Sequence, residues 1–175
     1  MEANWELRQV GEQDQEFLLE MLYIALWDAP DEPRRPRSVL EKPSIKKFVE
    51  GWGRRDDFGL LAIDPSSDRR IGVIWARLDG YGAPDGFGCE YPCLGIAVID
   101  GFQSQGVGSY LMSRFIEVLR SRVEGLRLGV HPRNDRAMGL YSKFGFAQYA
   151  IGGGGYPQMK LNLNRSDLVV CSDAK

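Results

Sequence analysis

Residues 94–108 read LGIAVIDGFQSQGVG, and this stretch decides the fold of the chain. An apolar run from Leu94 to Ile99 predicts a buried strand, and the glycines that follow predict a tight turn. The next residues predict an amphipathic helix, because apolar side chains recur every three or four positions on one helix face. Those apolar positions are Val107, Leu111, Phe115, Val118 and Leu119.

A glycine-rich turn between a strand and a helix is typical of an anion site. The first N–H groups of a helix lack helical partners and carry about half a positive charge, so phosphate groups bind there. A Walker-type loop is not indicated, since no lysine lies between Gly101 and Arg114. A dinucleotide fingerprint is weakened, because Leu111 stands where its third glycine belongs. The alternative is that Gly106 and Gly108 only allow close packing of the helix on its strand.

The composition predicts a single soluble domain. The chain has 175 residues, 43% of them hydrophobic, and 22 basic against 24 acidic residues leave a net charge of −2. Without a long apolar run or a signal-peptide pattern, we expect a cytoplasmic protein with no membrane partner. The near-neutral charge argues against nucleic acid as a partner. Cys89, Cys93 and Cys171 are expected to be free thiols, and one histidine gives little basis for a metal site.

The patterns on either side of this stretch predict an α/β protein with a mixed sheet. Ser44 is the predicted N-cap of an early helix, and a later helix is expected to begin after Asn134 and to end at Gly145. In chain order the predicted elements are a strand at 5–10, a helix from 14, a helix at 45–52, strands at 58–63, 71–78 and 90–99, the helix after 106, a strand at 126–130, the helix after 134, a hairpin at 146–151 and 158–163, and a polar tail at 164–175.

A second motif follows the first by about thirty residues, since residues 134–146 read NDRAMGLYSKFGF. Gln103, Gly106 and Gly108 match an Arg/Gln-x-x-Gly-x-Gly/Ala signature, and the two motifs together resemble the GNAT superfamily of acyl-CoA-dependent N-acyltransferases. The resemblance implies a mixed central sheet of six to seven strands flanked by about four helices and splayed between the two central parallel strands. It also implies a single N-acetyltransferase domain over residues 1–163.

The resemblance further implies acetyl-CoA as co-substrate, no metal, and an amine that attacks directly in a ternary complex. The glycine loop would hold the pyrophosphate, and the preceding strand would pair with the pantetheine arm. Tyr141 is implied as the general acid for the leaving thiolate, although a tyrosine on this helix face is otherwise often a core residue. The acyl group would lie in the split between the strands that end at Ile99 and Val130. The implied cofactor-binding residues are Ile96, Ala97, Val98, Gln103, Ser104, Gln105, Gly106, Val107, Gly108 and Asn134.

The group that removes the amine proton is left open. A lysine-like amine is neutral in only about one molecule in 2,500 at pH 7, so a carboxylate base is the usual remedy. Glu90 is the predicted base, because Gly129 stands where some relatives carry a glutamate; His131 and water are the alternatives. The missing glutamate leaves a non-catalytic acyl-CoA-binding or sensor module as the alternative function. A nucleotide-binding α/β protein of another kind is a further alternative.

The acceptor is not identified by the sequence. The sequence is compatible with a small-molecule amine and with a peptide amine as the acceptor. It is also compatible with a monomer and with a homodimer. The early helices and the loops at 28–43 and 79–88 are expected to build the acceptor site, either with an aromatic pocket or with aromatic residues used for packing. Arginines in the first loop either attract an acidic acceptor or are simply solvated. The aromatic candidates are Trp27, Trp52, Tyr81 and Phe87, and the arginines are Arg34, Arg35 and Arg37.

Overall fold

The computed structural model describes residues 5–79 and 91–163. No helix within these two ranges has the length and apolar character needed to cross a membrane. In chain order the elements are β1 (Glu6–Gln9), α1 (Gln15–Ala25), α2 (Pro43–Lys46), β2 (Phe58–Asp64), β3 (Arg69–Arg77), β4 (Cys93–Val98), α3 (Val107–Leu119), β5 (Gly125–Gly129), α4 (Asp135–Lys143), β6 (Ala147–Ile151) and β7 (Pro157–Asn162).

One mixed sheet, in the order β1-β2-β3-β4-β5-β7-β6, divides the core into two layers. Neighbouring strands are antiparallel except β4 and β5, which are parallel. Because side chains alternate across a strand, Ile74 and Ala76 of β3 pack with α3, whereas Val73 and Trp75 pack with α1 on the other face. The expected α/β class, with six to seven strands and about four helices, is confirmed.

Local sequence signals set the start of α3 and both ends of α4. The Oδ1 atom of Asn134 accepts a hydrogen bond from the N–H of Ala137 at 3.1 Å and caps α4. Gly145 follows that helix with a φ of +89°, and Gly106 precedes α3 with a φ of +93°. Both glycines occupy the left-handed region that other residues adopt only at a cost, so the predicted ends of α4 are confirmed.

The early helix α2 is much shorter than predicted and begins one residue before Ser44, so Ser44 is not its N-cap. The carbonyl groups of Lys47 and Glu50 accept hydrogen bonds from the guanidinium of Arg77, at 2.9 and 2.8 Å. Arg77 is itself buried in a bidentate ion pair with Asp57, at 2.6 and 2.7 Å. These tertiary hydrogen bonds take the carbonyl groups that a continuing helix would have used.

The parallel strands β4 and β5 diverge. Within the described residues they share a single register pair, Cys93 with Arg127, next to a hydrogen bond from the Arg127 N–H to the Pro92 carbonyl at 3.1 Å. Beyond this point the sheet opens like a fork toward the C-terminal ends of both strands. The expected splay between the two central parallel strands is therefore confirmed.

Candidate active site

The main chain of β4 presents hydrogen-bonding groups to the fork. The Ile99 N–H donates to the Ile71 carbonyl at 3.0 Å, so this main chain faces β3 at Ile99 and at every second residue before it. The N–H and C=O groups of Ile96 and Val98 therefore point away from β3 and into the fork. The main chain of Ala97 faces β3 instead.

The side chain of Gln103 stabilises the loop between β4 and α3 by hydrogen bonds. Its Nε2 donates to the Val98 carbonyl at 3.0 Å and to Asp100 Oδ1 at 3.1 Å. Its Oε1 accepts a hydrogen bond from Arg136 at 2.9 Å, which ties the loop to α4. Ser104 adopts a φ of +61°, so the loop turns tightly before α3 begins.

A cavity of about 510 Å³ lies between this loop, β4 and α4, and we call it the loop cavity. Its wall includes Gly106 and Gly108, where the N–H groups of the first helical turn lack partners within α3. Arg136 and Lys143 line the same cavity from α4. Neither cation was among the residues singled out from the sequence, although their seven-residue spacing places them on one helix face. A helix N-terminus beside two cations suits a ligand with several phosphate groups.

Eight of the ten residues implied as cofactor-binding line the loop cavity. Gln105 does not; it is exposed, and its side chain donates to the Gly101 carbonyl. Val107 does not either, because its side chain is only 1% exposed and belongs to the core under α3. The eight residues that the structure brings together are Ile96, Ala97, Val98, Gln103, Ser104, Gly106, Gly108 and Asn134.

A second cavity, of about 710 Å³, lies inside the fork, and we call it the fork cavity. It is bounded by β4, β5, α1, α2 with the turn that follows it, and the closing β6–β7 hairpin. It adjoins the loop cavity, since six residues line both. Two ligands, one in each cavity, would therefore meet at these shared residues. They are Ala25, Trp27, Ile96, Asn134, Ala137 and Tyr141.

Tyr141 lies on α4 where the two cavities meet, and its residue surface is 8% exposed. Burial, with the nearby Cys93 as a second cause, raises the pKa of the hydroxyl above its usual value. No described residue hydrogen-bonds to this hydroxyl, and no fully buried polar side-chain atom in the described chain lacks a partner. The hydroxyl oxygen is therefore not fully buried, and no described residue holds it by a hydrogen bond. A phenol that stays protonated there can donate to a bound group.

Of the two side chains considered as the base, the structure describes only His131. Glu90 lies outside the described residues. His131 lines the fork cavity, with its ring between those of Trp27 and Tyr156 at centroid distances of 4.9 and 5.2 Å. Its Nδ1 accepts a hydrogen bond from the Arg133 N–H at 3.1 Å. A neutral imidazole bonded in this way carries its proton on Nε2.

Gln158 fills the space beside Gly129. A Cβ atom added at Gly129 would lie 2.9 Å from Gln158 Nε2, and this amide donates to the Tyr156 carbonyl at 3.2 Å. An uncharged amide thus lies beside the position where some relatives carry a glutamate. Gln158 was not among the residues singled out from the sequence, because only the pairing of β5 with β7 brings it beside Gly129.

The residues expected around the acceptor are divided between the cavity and the core. Trp27 lines both cavities, whereas Trp52 is 5% exposed and packs in the core. Arg35 lines the fork cavity, but Arg34 and Arg37 lie over the ring of Tyr23, at 4.4 and 4.8 Å from its centroid. The expected residues at positions 81 and 87 lie outside the described residues.

Solved structures with the same fold come from several acetyltransferases. A GNAT family acetyltransferase from Brucella melitensis in complex with acetyl-CoA is 17% identical with a TM-score of 0.58, over 93% of this chain and 90% of that chain. The spermidine/spermine N-acetyltransferase SpeG from Vibrio cholerae is 17% identical with a TM-score of 0.57, over 92% and 94%. The GNAT domain of S. lividans PAT is 20% identical with a TM-score of 0.61, over 90% of both chains. At these identities the likeness concerns the fold.

The family assignment comes from the sequence comparison. A search of curated proteins found no match to the chain. The family model described as "Acetyltransferase (GNAT) family" matches residues 19–146, which include most of α1, the parallel strands β4 and β5, the glycine loop and α4. Since this match covers most of the chain and contains both motifs, the chain belongs to the GNAT acetyltransferase family.

Proposed function

We propose that the protein transfers an acetyl group from acetyl-CoA to an amine by direct attack in a ternary complex. The observation that carries this proposal is the meeting of the loop cavity and the fork cavity beside Ile96 and Tyr141. A donor held in one cavity and an amine held in the other are brought together at the reacting atoms, which removes most of the entropic cost of their encounter. Membership of the GNAT acetyltransferase family supports the same reaction.

Acetyl-CoA is assigned to the loop cavity because its charge pattern fits. The N-terminus of α3, Arg136 and Lys143 offer positive charge for the phosphate groups. The main-chain groups of Ile96 and the N–H of Val98 face the fork and offer hydrogen bonds to the amide groups of the pantetheine arm. Asn134 uses its Oδ1 to cap α4, so its Nδ2 group is what it contributes to the cavity.

The bond changes follow from this placement. The lone pair of the neutral amine attacks the thioester carbonyl carbon, and an N–H group of the β4 strand that faces the fork stabilises the developing oxyanion. The carbon–sulfur bond then breaks as the Tyr141 hydroxyl gives its proton to the leaving thiolate. The new ammonium loses a proton to a base, and the tyrosinate regains one from solvent. The products are an N-acetyl amine and free CoA.

The base is proposed to be Glu90, acting directly or through water. In the Glu90→Gln variant the rate should fall near pH 7 and fall less at pH 9, where more of the amine is already neutral. An equal loss at both pH values would indicate a role in binding, and no loss would leave water or His131 as the proton acceptor.

Binding of the donor is tested first, by thermal unfolding with acetyl-CoA. A ligand at about a hundred times its Kd adds about 2.7 kcal/mol of stability, so the midpoint should rise measurably. Arg136→Glu places a negative charge in the loop cavity and should weaken binding at least tenfold. Arg114→Glu is the matched control, since Arg114 is exposed on α3, pairs with Glu117 and lies outside the cavity. No midpoint shift with millimolar acetyl-CoA would refute the assignment.

Turnover is tested by release of free CoA over a panel of amines. Tyr141→Phe keeps the ring and removes the proton, so turnover should fall at least roughly tenfold while acetyl-CoA still binds. Full activity of this variant would show that Tyr141 is a core packing residue and not the general acid. Acetyl-CoA binding without turnover of any amine would favour the acyl-CoA-binding or sensor module instead.

A further inference from the structure

The side chain of Gln158 lies in the fork, although its strand β7 is not one of the two strands that form it. Gln158 pairs with Gly129 of β5, and both residues line the fork cavity. Since β4 and β5 share one register pair, Gly129 and Gly95 lie on opposite sides of the fork, each two residues beyond that pair. Ile96, where the two cavities meet, comes next in β4. The amide of Gln158 therefore lies across the fork from the proposed reaction centre.

Two glycines make the room that this amide occupies. A Cβ atom added at Gly129 would lie 2.9 Å from Nε2 and 3.4 Å from Oε1 of Gln158. A Cβ atom added at Gly152, in the closing hairpin, would lie 2.6 Å from Nε2. Side-chain carbons do not come this close to a nitrogen, so a larger residue at either position would displace the amide from the fork.

The orientation of the amide is fixed by a hydrogen bond. Nε2 of Gln158 donates to the Tyr156 carbonyl at 3.2 Å, and a carbonyl can only accept. The reverse orientation would place two oxygens against each other, so Oε1 is the atom that remains. No described residue hydrogen-bonds to Oε1, and this oxygen is not fully buried, because every fully buried polar side-chain atom of the described chain has a partner. Oε1 is thus an oriented acceptor in the wall of the fork cavity.

Such an oxygen suits one of the two N–H groups of a primary amine. When a neutral primary amine attacks, its lone pair points at the thioester carbon and its nitrogen carries two N–H bonds. One of these protons is lost to the base, and the other stays in the product amide. An amide oxygen accepts a hydrogen bond without removing the proton, so it can hold the second N–H and aim the lone pair.

We propose that Oε1 of Gln158 binds the acceptor amine through the N–H group that stays in the product, and thereby selects primary over secondary amines. The nitrogen–carbon bond forms and the carbon–sulfur bond breaks as described above, while the base takes the other amine proton and Tyr141 protonates the thiolate. This inference rests on the proposed transfer reaction and names a binding residue and an acceptor class for it.

The experiment compares two matched pairs of amines by CoA release at saturating acetyl-CoA. The pairs are benzylamine with N-methylbenzylamine and butylamine with N-methylbutylamine, because the methyl group replaces the N–H that Gln158 holds. In the parent protein kcat/KM should be about tenfold higher for the primary amine, as expected for one hydrogen bond to the reacting group. In Gln158→Met the primary amine should lose most of this advantage and the secondary amine should change less than about twofold.

A purely structural role of Gln158 would lower kcat/KM equally for both members of a pair. That result, an unchanged preference in Gln158→Met, or a parent protein without any preference would overturn the proposal. The midpoint shift with acetyl-CoA is measured for every variant and shows that each one is folded.

Two further variants relate the preference to the position of the amide. Gly152→Ala keeps Gln158 but takes the room of its amide, and the backbone there, with a φ of −87°, accepts an alanine. It should reduce the preference as Gln158→Met does, and an unchanged preference would contradict the placement of the amide. Gln148→Met is the matched control and should keep the preference, because Gln148 is exposed on β6 and does not line the fork cavity.

Calorimetry of the two primary amines with the CoA-saturated protein separates the contact from the reaction. Binding that Gln158→Met weakens, without CoA release by the parent protein, would refute the transfer reaction and keep the contact. CoA release with the same preference in parent and variant would keep the reaction and refute the contact. Neither binding nor CoA release would refute both.

Discussion

Replacing Gly106 and Gly108 separately with alanine makes the same chemical change two residues apart, and we expect opposite effects on stability. Gly106 precedes α3 with a φ of +93°, and its added Cβ would meet only the Trp5 ring, at 3.7 Å. Gly108 lies within the helix, where a Cβ would make ordinary contacts with Leu140 at 3.6 Å and with Ile96 at 4.0 Å. Neither change is limited by space, so backbone conformation decides the result.

The size of the effect follows from two terms. Alanine restricts the unfolded chain and adds about 0.4–1 kcal/mol of stability where the native backbone accepts it, as at Gly108. At Gly106 the left-handed backbone costs an alanine about 1–2 kcal/mol. Because the gain from the unfolded chain is common to both variants, the difference between them isolates this cost. For a domain of this size, 1–2 kcal/mol corresponds to roughly 2–8 °C in Tm.

Thermal unfolding of the two variants beside the parent protein measures this difference. Gly108→Ala should be slightly more stable than the parent and keep the midpoint shift with acetyl-CoA, whereas Gly106→Ala should be the least stable of the three. If Gly106→Ala proved as stable as Gly108→Ala, the left-handed start of α3 would be refuted, and with it the loop geometry on which the proposed donor site depends.

Three other predictions concern buried charges and the thiol. Asp57→Asn should lower the free energy of unfolding by about 3–5 kcal/mol in urea titrations, because it leaves the buried guanidinium of Arg77 without its charged partner; a loss below 1 kcal/mol would contradict this view of the pair. The hydrogen bond from Arg8 lowers the pKa of the Asp14 carboxyl, so its contribution is complete above the unfolded pKa of about 4 and is lost as the pH falls through the folded value. The stability difference between the parent and Asp14→Asn should therefore shrink from pH 7 to pH 3, and a constant difference would argue against the linkage. Burial raises the pKa of the Cys93 thiol to about 11, so about one thiol in a thousand is ionised at pH 8. Iodoacetamide should label the Cys93 peptide at least 100-fold more slowly than glutathione in mass-spectrometric time courses at that pH; equal rates would show that the thiol is exposed.

Features that depend on neighbouring residues were predictable. The start of α4 needs only the capping side chain of Asn134, and its end needs only a glycine, Gly145, that accepts a positive φ. Both are local properties of the sequence. The glycine loop, α3 and the closing hairpin follow from short-range patterns in the same way. The family resemblance then related these pieces to a splayed sheet and to Tyr141.

The early helix α2 is shorter than its sequence pattern predicts, because tertiary hydrogen bonds outweigh local helix propensity there. The apolar spacing after Ser44 is helical, yet the carbonyl groups of Lys47 and Glu50 bind Arg77, about thirty residues away. After α2 this segment continues to Glu50 as hydrogen-bonded turns rather than as a regular helix, and Lys47 lies in the wall of the fork cavity.

By itself the sequence determined the fold class, the two motifs and most of the loop cavity, because those residues are close in the chain or related by a helix or strand period. The fork cavity was decided by tertiary structure alone. Arg127 meets Asp79 across 48 positions, and Gln158 comes beside Gly129 through the register of two strands. Such pairings depend on how strands are ordered in the sheet, which no local pattern encodes. For that reason the cavity proposed for the acceptor became visible only in the folded chain.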